Sequence, residues 1–127
     1  MKKLLILLCV ALLGGCVNIP FKSDNAMMLL ADMYQGSALL NKNCGDTLTA
    51  QDYLQVMQFE ARKLDIYYKL RGLDAGHNPA IELDMLVSHT YSFYQSHKTV
   101  SKQFCEDRVK QIQKVIGVNA DEERGRK

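Results

Sequence analysis

The chain of 127 residues lacks most of what would announce chemistry. It has no Gly-rich phosphate loop, no GxSxG elbow, no CxxC pair and no HExxH helix, which leaves no motif for an enzyme or a small-molecule substrate. His77, His89 and His97 stand at no ligand spacing with one another or with the cysteines, so neither a metal site nor another cofactor is expected. Glu60, Asp65, Glu82 and Asp84 supply carboxylates, but solvated helix faces carry such residues routinely and no catalytic role is read from them. No segment alternates apolar and polar residues as a half-buried strand does. No apolar run approaches the roughly twenty residues that a membrane-crossing helix takes.

What is present begins at the N-terminus. Met1 to Cys16 reads MKKLLILLCVALLGGC: a basic pair, an apolar run from Leu4 to Leu13, two glycines and a cysteine. That is the layout of an export signal. Leu13-Gly14-Gly15-Cys16 resembles the lipobox of bacterial lipoproteins, in which the cysteine thiol is alkylated by a diacylglyceryl group and the chain is then cut before it. On that resemblance residues 1–15 are a signal peptide and Cys16 is the lipid-bearing first residue of the mature chain. Residues 16–23 contain Pro20 and no helical period, and are expected to be a tether.

Cysteine usage agrees. Cys9 leaves with the signal, so Cys16, Cys44 and Cys105 remain, and an odd thiol in an exported protein asks for a partner or a modification. Lipidation of Cys16 leaves Cys44 and Cys105 as a pair, and in an oxidising compartment a disulfide between them is the default. Charge also changes meaning. The chain has 16 Lys+Arg and 14 Asp+Glu, but Lys2 and Lys3 belong to the signal, so the mature part is balanced. With no net positive charge and no basic stripe, the footprint of nucleic-acid binding is missing.

The mature part is long enough for one domain with a modest core. Four helical stretches are expected within residues 24–118. In the first, Ala26, Leu30, Met33, Ser37, Leu40 and Cys44 recur at steps of four and three, and Gly45 stops the helix. The second opens with a capping box at Thr49 and Asp52, continues inward through Tyr53, Met57, Ala61, Leu64 and Tyr68, and ends near Gly72. Asn78-Pro79 opens the third, whose inward residues are Leu83, Leu86, Val87, Thr90 and Tyr94. A new phase carries Cys105, Val109, Ile112 and Ile116 and closes at Gly117, so the pattern predicts either a break near His97 or one long bent helix. Residues 119–127 (NADEERGRK) read as a charged, solvated tail. In an all-α, up-down four-helix bundle, the end of the first helix and the start of the last lie at the same end, which places Cys44 and Cys105 together.

The first helix is apolar beyond its core stripe: Met27, Met28, Leu29, Ala31, Tyr34, Ala38 and Leu39 broaden its greasy surface. Either it is a central helix touching several neighbours, or it lines a groove that receives an amphipathic helix from a partner, with methionine supplying an adaptable wall.

LLADMYQGSALLNKNCG (Leu29 to Gly45) resembles the first helix of the PulS/OutS family of type II secretion pilotins. TYSFYQS (Thr90 to Ser96), followed by a short spacer and Cys105, is also similar, whereas RGLDAGHNPA (Arg71 to Ala80) has no clear counterpart. The resemblance implies a non-enzymatic lipoprotein that binds the C-terminal segment of a secretin subunit as a helix in a groove. Its acyl chains would then carry that client to the outer membrane. Val17 after the lipid site, in place of aspartate, agrees with anchoring on the periplasmic face of the outer membrane. For the partner groove the sequence nominates Met27, Leu30, Ala31, Tyr34 and Ala38. The alternative is a permanent structural or interaction lipoprotein of another envelope system, such as entry exclusion or a different secretion apparatus.

Overall fold

The computed structural model describes residues 23–73, 78 and 80–125. The signal peptide, Cys16, most of the tether, His77 and Pro79 lie outside the described residues. Within them are four α-helices and no strand: α1 Ser23–Lys42, α2 Thr47–Leu70, α3 Ala80–Ser96 and α4 Lys102–Gly125. Ser23, expected to close the tether, already belongs to α1.

Cross-helix contacts fix the directions. Ser37 of α1 and Cys44, two residues past its end, meet Gln113 and Cys105 of α4, so a step up one helix is a step down the other. Gln51, Gln58 and Asp65 of α2 meet Tyr94, Ser88 and Asn78 in the same inverse order. Gly36 packs against Met57, close enough that a Cβ there would stand 3.1 Å from Met57 Cγ. The helices form an antiparallel square in which α1 neighbours α2 and α4, α2 neighbours α3, and α3 meets α4 along the fourth side. The pairs α1 with α3 and α2 with α4 are diagonal.

The expected inward stripes are buried. Ala26, Leu30, Met33, Ser37 and Leu40 line the core from α1, Cys44 from the turn that follows it, and Cys105, Val109, Ile112 and Ile116 from α4. Tyr53 and Leu86, expected inside, are half-buried and pack against the core from its edge. Ala50, Leu54, Tyr67 and Ala80 complete the core. They belong to wider apolar stripes than a single row of four-and-three steps describes, since each of these helices touches two neighbours.

Two helix ends differ from the sequence reading. The N-cap of α2 is Asp46, whose carboxylate accepts from the Thr49 backbone N–H at 3.1 Å and from the Thr49 hydroxyl at 2.7 Å. A carboxylate three residues upstream reaches the free N–H groups of the first turn, so the helix starts at Thr47 and Thr49 is its third residue, not its cap. Those two hydrogen bonds hold the Asp46 carboxyl below its ordinary range. The break near His97 is present, and Ser101 caps α4 by accepting from the Phe104 N–H at 3.1 Å. His97 closes α3, its Nδ1 lying 2.8 Å from the Phe93 carbonyl and its ring stacked on Phe93.

The largest correction concerns the end of α4, which neither stops at Gly117 nor gives way to a solvated tail. The helix runs on to Gly125, Asn119 is fully buried, and Glu123 is 1% exposed. Glu123 Oε1 accepts from the Arg71 guanidinium at 2.8 Å, and Arg71 also stands over the Tyr67 ring. Arg71 is positioned by the turn that ends α2. Gly72, at φ +81, lets its N–H reach the Lys69 carbonyl while the Leu73 N–H bonds to Tyr68, which satisfies the last carbonyls of the helix.

Candidate partner-binding grooves

The sequence expects Cys44 and Cys105 to pair, and they do: the disulfide joins two residues 61 positions apart, with Cα atoms separated by 5.6 Å. The bridge lies on the core side of both helices, and Tyr94 seals it by donating its hydroxyl to the Cys44 carbonyl at 3.3 Å. Burial pushes the Tyr94 phenol above its ordinary range. Phe93 and Phe104 stack across the α3–α4 turn with centroids 4.0 Å apart. This end of the bundle is closed.

The grooves open away from it. Along the α1–α4 seam lies a cavity of about 230 Å³ lined by Met27, Leu30, Ala31 and Tyr34 of α1 and by Gln113, Ile116, Gly117 and Ala120 of α4. Four of the five nominated residues are thus brought together. Leu30, 2% exposed, and Ile116 form the floor, while Ala31 and Tyr34, 52% exposed, stand on the rim. Ala38 is half-buried and lies outside this cavity. Leu30 therefore serves the core and the groove at once. Gly117, which the sequence pattern reads as a stop, is a mid-helix residue, and its missing side chain keeps the groove wall low.

A second, wider cleft was not visible in the sequence. Between α3 and α4 a space of about 700 Å³ is walled by Ile81, Met85, Leu86 and His89 on one side and by Val115 and Val118 on the other. Glu82 and Lys114 stand among its polar lining. Its size falls within the roughly 300–1,000 Å³ typical of ligand sites, whereas the α1–α4 cavity is smaller. It exists because α3 and α4 are drawn together at the Phe93–Phe104 turn, whereas farther down α3 finds its partners on α2, through Gln58 to Ser88 at 2.8 Å and through Asp65 to Asn78. No periodicity within one helix encodes the spacing between two. The exposure of Met85 and Val118 is its only trace in the residue types.

The remaining candidates serve structure. Asp65 binds Lys69 and Asn78, and Asp84 faces Arg62 at 3.9 Å and accepts from Ser88. Burial, with the nearby Asp32 charge, raises the Glu60 carboxyl above its ordinary range, at a hollow of about 360 Å³ between α1 and α2. No group of three or more His, Cys, Asp or Glu side chains among the described residues could hold a metal ion. No helix among them is long and apolar enough to cross a membrane.

The molecule so defined is an all-helical, disulfide-stapled bundle with two open grooves flanking α4. Compared with known protein families, characterised proteins and solved structures, the chain matches none.

Proposed function

We propose that this chain is a lipid-anchored escort that binds the C-terminal segment of a secretin subunit as an amphipathic helix and takes it to the outer membrane for assembly of a type II secretion channel. The observation that carries the reading is the α1–α4 groove, in which Met27, Ala31 and Tyr34 present apolar surface that the protein's own side chains leave uncovered above the buried Leu30. A helix laid there offers apolar residues at steps of three and four, which meet a floor of Leu30 and Ile116 and a wall of methionine that adjusts to their shape. The wider α3–α4 cleft lies on the other flank of α4 and gives a longer client a second apolar channel. The lipobox supports the other half of the reading. One acyl chain gives marginal membrane residence and several give a stable one, so the carrier's anchor decides the destination of whatever it holds.

The test is binding of the C-terminal tail peptide of a type II secretin subunit from the same organism, scored by co-purification and by a gain of helical circular dichroism. Tyr34→Asp places a charge on the exposed rim, so it is expected to abolish the gain while the melting temperature stays unchanged. Full binding by a folded Tyr34→Asp protein would overturn the groove assignment.

A further inference from the structure

The exposed surface of α2 is unusual in this molecule. Of nine large apolar residues that stand exposed among the described residues, Leu48, Val56, Phe59, Ile66 and Leu70 belong to α2. The last four, with Lys63 between them, fall at steps of three and four, so they form one continuous stripe about 21 Å long. Nothing in the bundle covers it, because α2 packs against α1 and α3 and turns this side outward. Single exposed apolar residues are ordinary, but an aligned row of them marks an interaction surface. Lys63 lies within the stripe and Arg62 and Lys69 are exposed along its flank nearer α3, while Asp52 is exposed in line with it and Glu60, half-buried, borders the opposite flank. Lys63 lies over the Phe59 ring at 4.7 Å. Arg62 and Lys69 have partners in Asp84 and Asp65, yet each side chain keeps about three-fifths of its surface in solvent, 61% and 62%.

We infer that the α2 stripe of Val56, Phe59, Ile66 and Leu70, with its flanking lysines and arginine, rests on an anionic phospholipid surface. A helix that combines aromatic and aliphatic residues with cations on one exposed side has the make-up of an interfacial helix, whose apolar residues enter the acyl boundary while the cations meet phosphate. Long basic side chains extend their charge to the headgroups while their stems stay among apolar neighbours. Position supports the same occupant. From the Gly36–Met57 contact, equal steps outward along the antiparallel pair bring Ser23 level with Leu70. The inference rests on the lipid-anchor reading at this point. The segment from Cys16 to Lys22 reaches at most about 25 Å, so an acylated Cys16 holds the Leu70 end of the stripe against the bilayer and makes even weak surface affinity effective. A second copy of the chain fits less well, since pairing two stripes about a two-fold axis through Lys63 sets that charge against its own copy. Diagonal placement adds a consequence: with α2 on the membrane, α4 and both of its grooves face away, open to a client.

The chain contains no tryptophan, so one can be introduced as a reporter. The full acylated protein is reconstituted into vesicles of phosphatidylethanolamine and phosphatidylglycerol with brominated acyl chains. The fluorescence of an Ile66→Trp variant is compared with that of a Lys110→Trp variant, which carries the reporter on the exposed side of α4. Stronger quenching of Ile66→Trp, lost when Phe59→Asp is added and when phosphatidylcholine replaces the anionic lipid, is the expected result. Protein that sediments with the vesicles but shows equal quenching at both positions overturns the inference and leaves the anchor intact. Protein that stays in the supernatant overturns the anchor reading and this inference with it. A dimer in the absence of vesicles that Phe59→Asp dissociates overturns the inference in favour of self-association.

Discussion

The two ends of the bundle are fastened by opposite means. At one end α1 and α4 are joined covalently through Cys44 and Cys105, under Tyr94 and beside the stacked Phe93 and Phe104. At the other, the turn after α2 is joined to the last turns of α4 by the Arg71 guanidinium on the buried Glu123 carboxylate. The first fastening acts mainly by shrinking the freedom of the unfolded chain and is indifferent to salt. The second depends on a desolvated charge keeping its partner, so its weight lies in what its removal would cost. Both grooves open on the ionic side of this divide, and the covalent end is sealed. A rigid floor is therefore kept where apolar rims are left bare, without a second disulfide to lock the rims.

Four substitutions probe that contrast, in decreasing order of effect. Cys44→Ser is expected to lower stability by about 4 kcal/mol, because a closed loop of this length restricts the unfolded ensemble by about that much, and reductant applied to the native protein should do the same. Chemical denaturation with and without reductant checks it; a native midpoint insensitive to reductant would erase the distinction between the ends. Arg71→Met removes the guanidinium from Glu123. Breaking a fully buried pair costs roughly 3–5 kcal/mol, and since the Arg71 side chain keeps 27% of its surface in solvent, about 2 kcal/mol is expected. Its unfolding midpoint should be low while the Cys44–Cys105 bridge remains intact by mass, and Glu123→Gln, which retains a hydrogen-bond acceptor, should lose less. The smallest effect belongs between the ends, at Glu60. Its carboxyl holds its proton more tightly in the folded protein, so the folded state binds more protons and stability falls as pH rises from the ordinary value of 4.5 through the raised one. Glu60→Gln should flatten that part of the stability profile and leave the protein slightly more stable at neutral pH, as thermal melts across the range would read.

The same contrast explains which parts of the fold are legible in the residues alone. The covalent end is legible because its information is local. Cys44 sits in a stripe with Leu40 and Ser37, Cys105 in a stripe with Val109 and Ile112, and antiparallel connectivity brings the two together. The ionic end is not legible. Glu123 and Asn119 are polar types that periodicity assigns to the surface, and the group that makes Glu123 an interior residue is Arg71, 52 positions earlier, on a turn whose shape depends on Gly72. Caps fail for a related reason. Thr49 and Asp52 satisfy a pattern, but Asp46 reaches the same N–H groups first, and only geometry ranks the two. Of the grooves, the one on α1 left a mark in the excess apolar surface of Met27, Ala31 and Tyr34. The α3–α4 cleft arises from the distance between two ordinary helices and leaves almost none.

The side-by-side placement of α1 and α4 also dictates when this protein can fold. The inward row of the first helix is roofed in part by the final one, down to the Gln113 amide that reaches the Ser37 hydroxyl across 76 positions at 3.1 Å. A nascent chain that has produced three helices still shows that row to water, however long it waits. Closure of that row thus waits on the two dozen residues of α4.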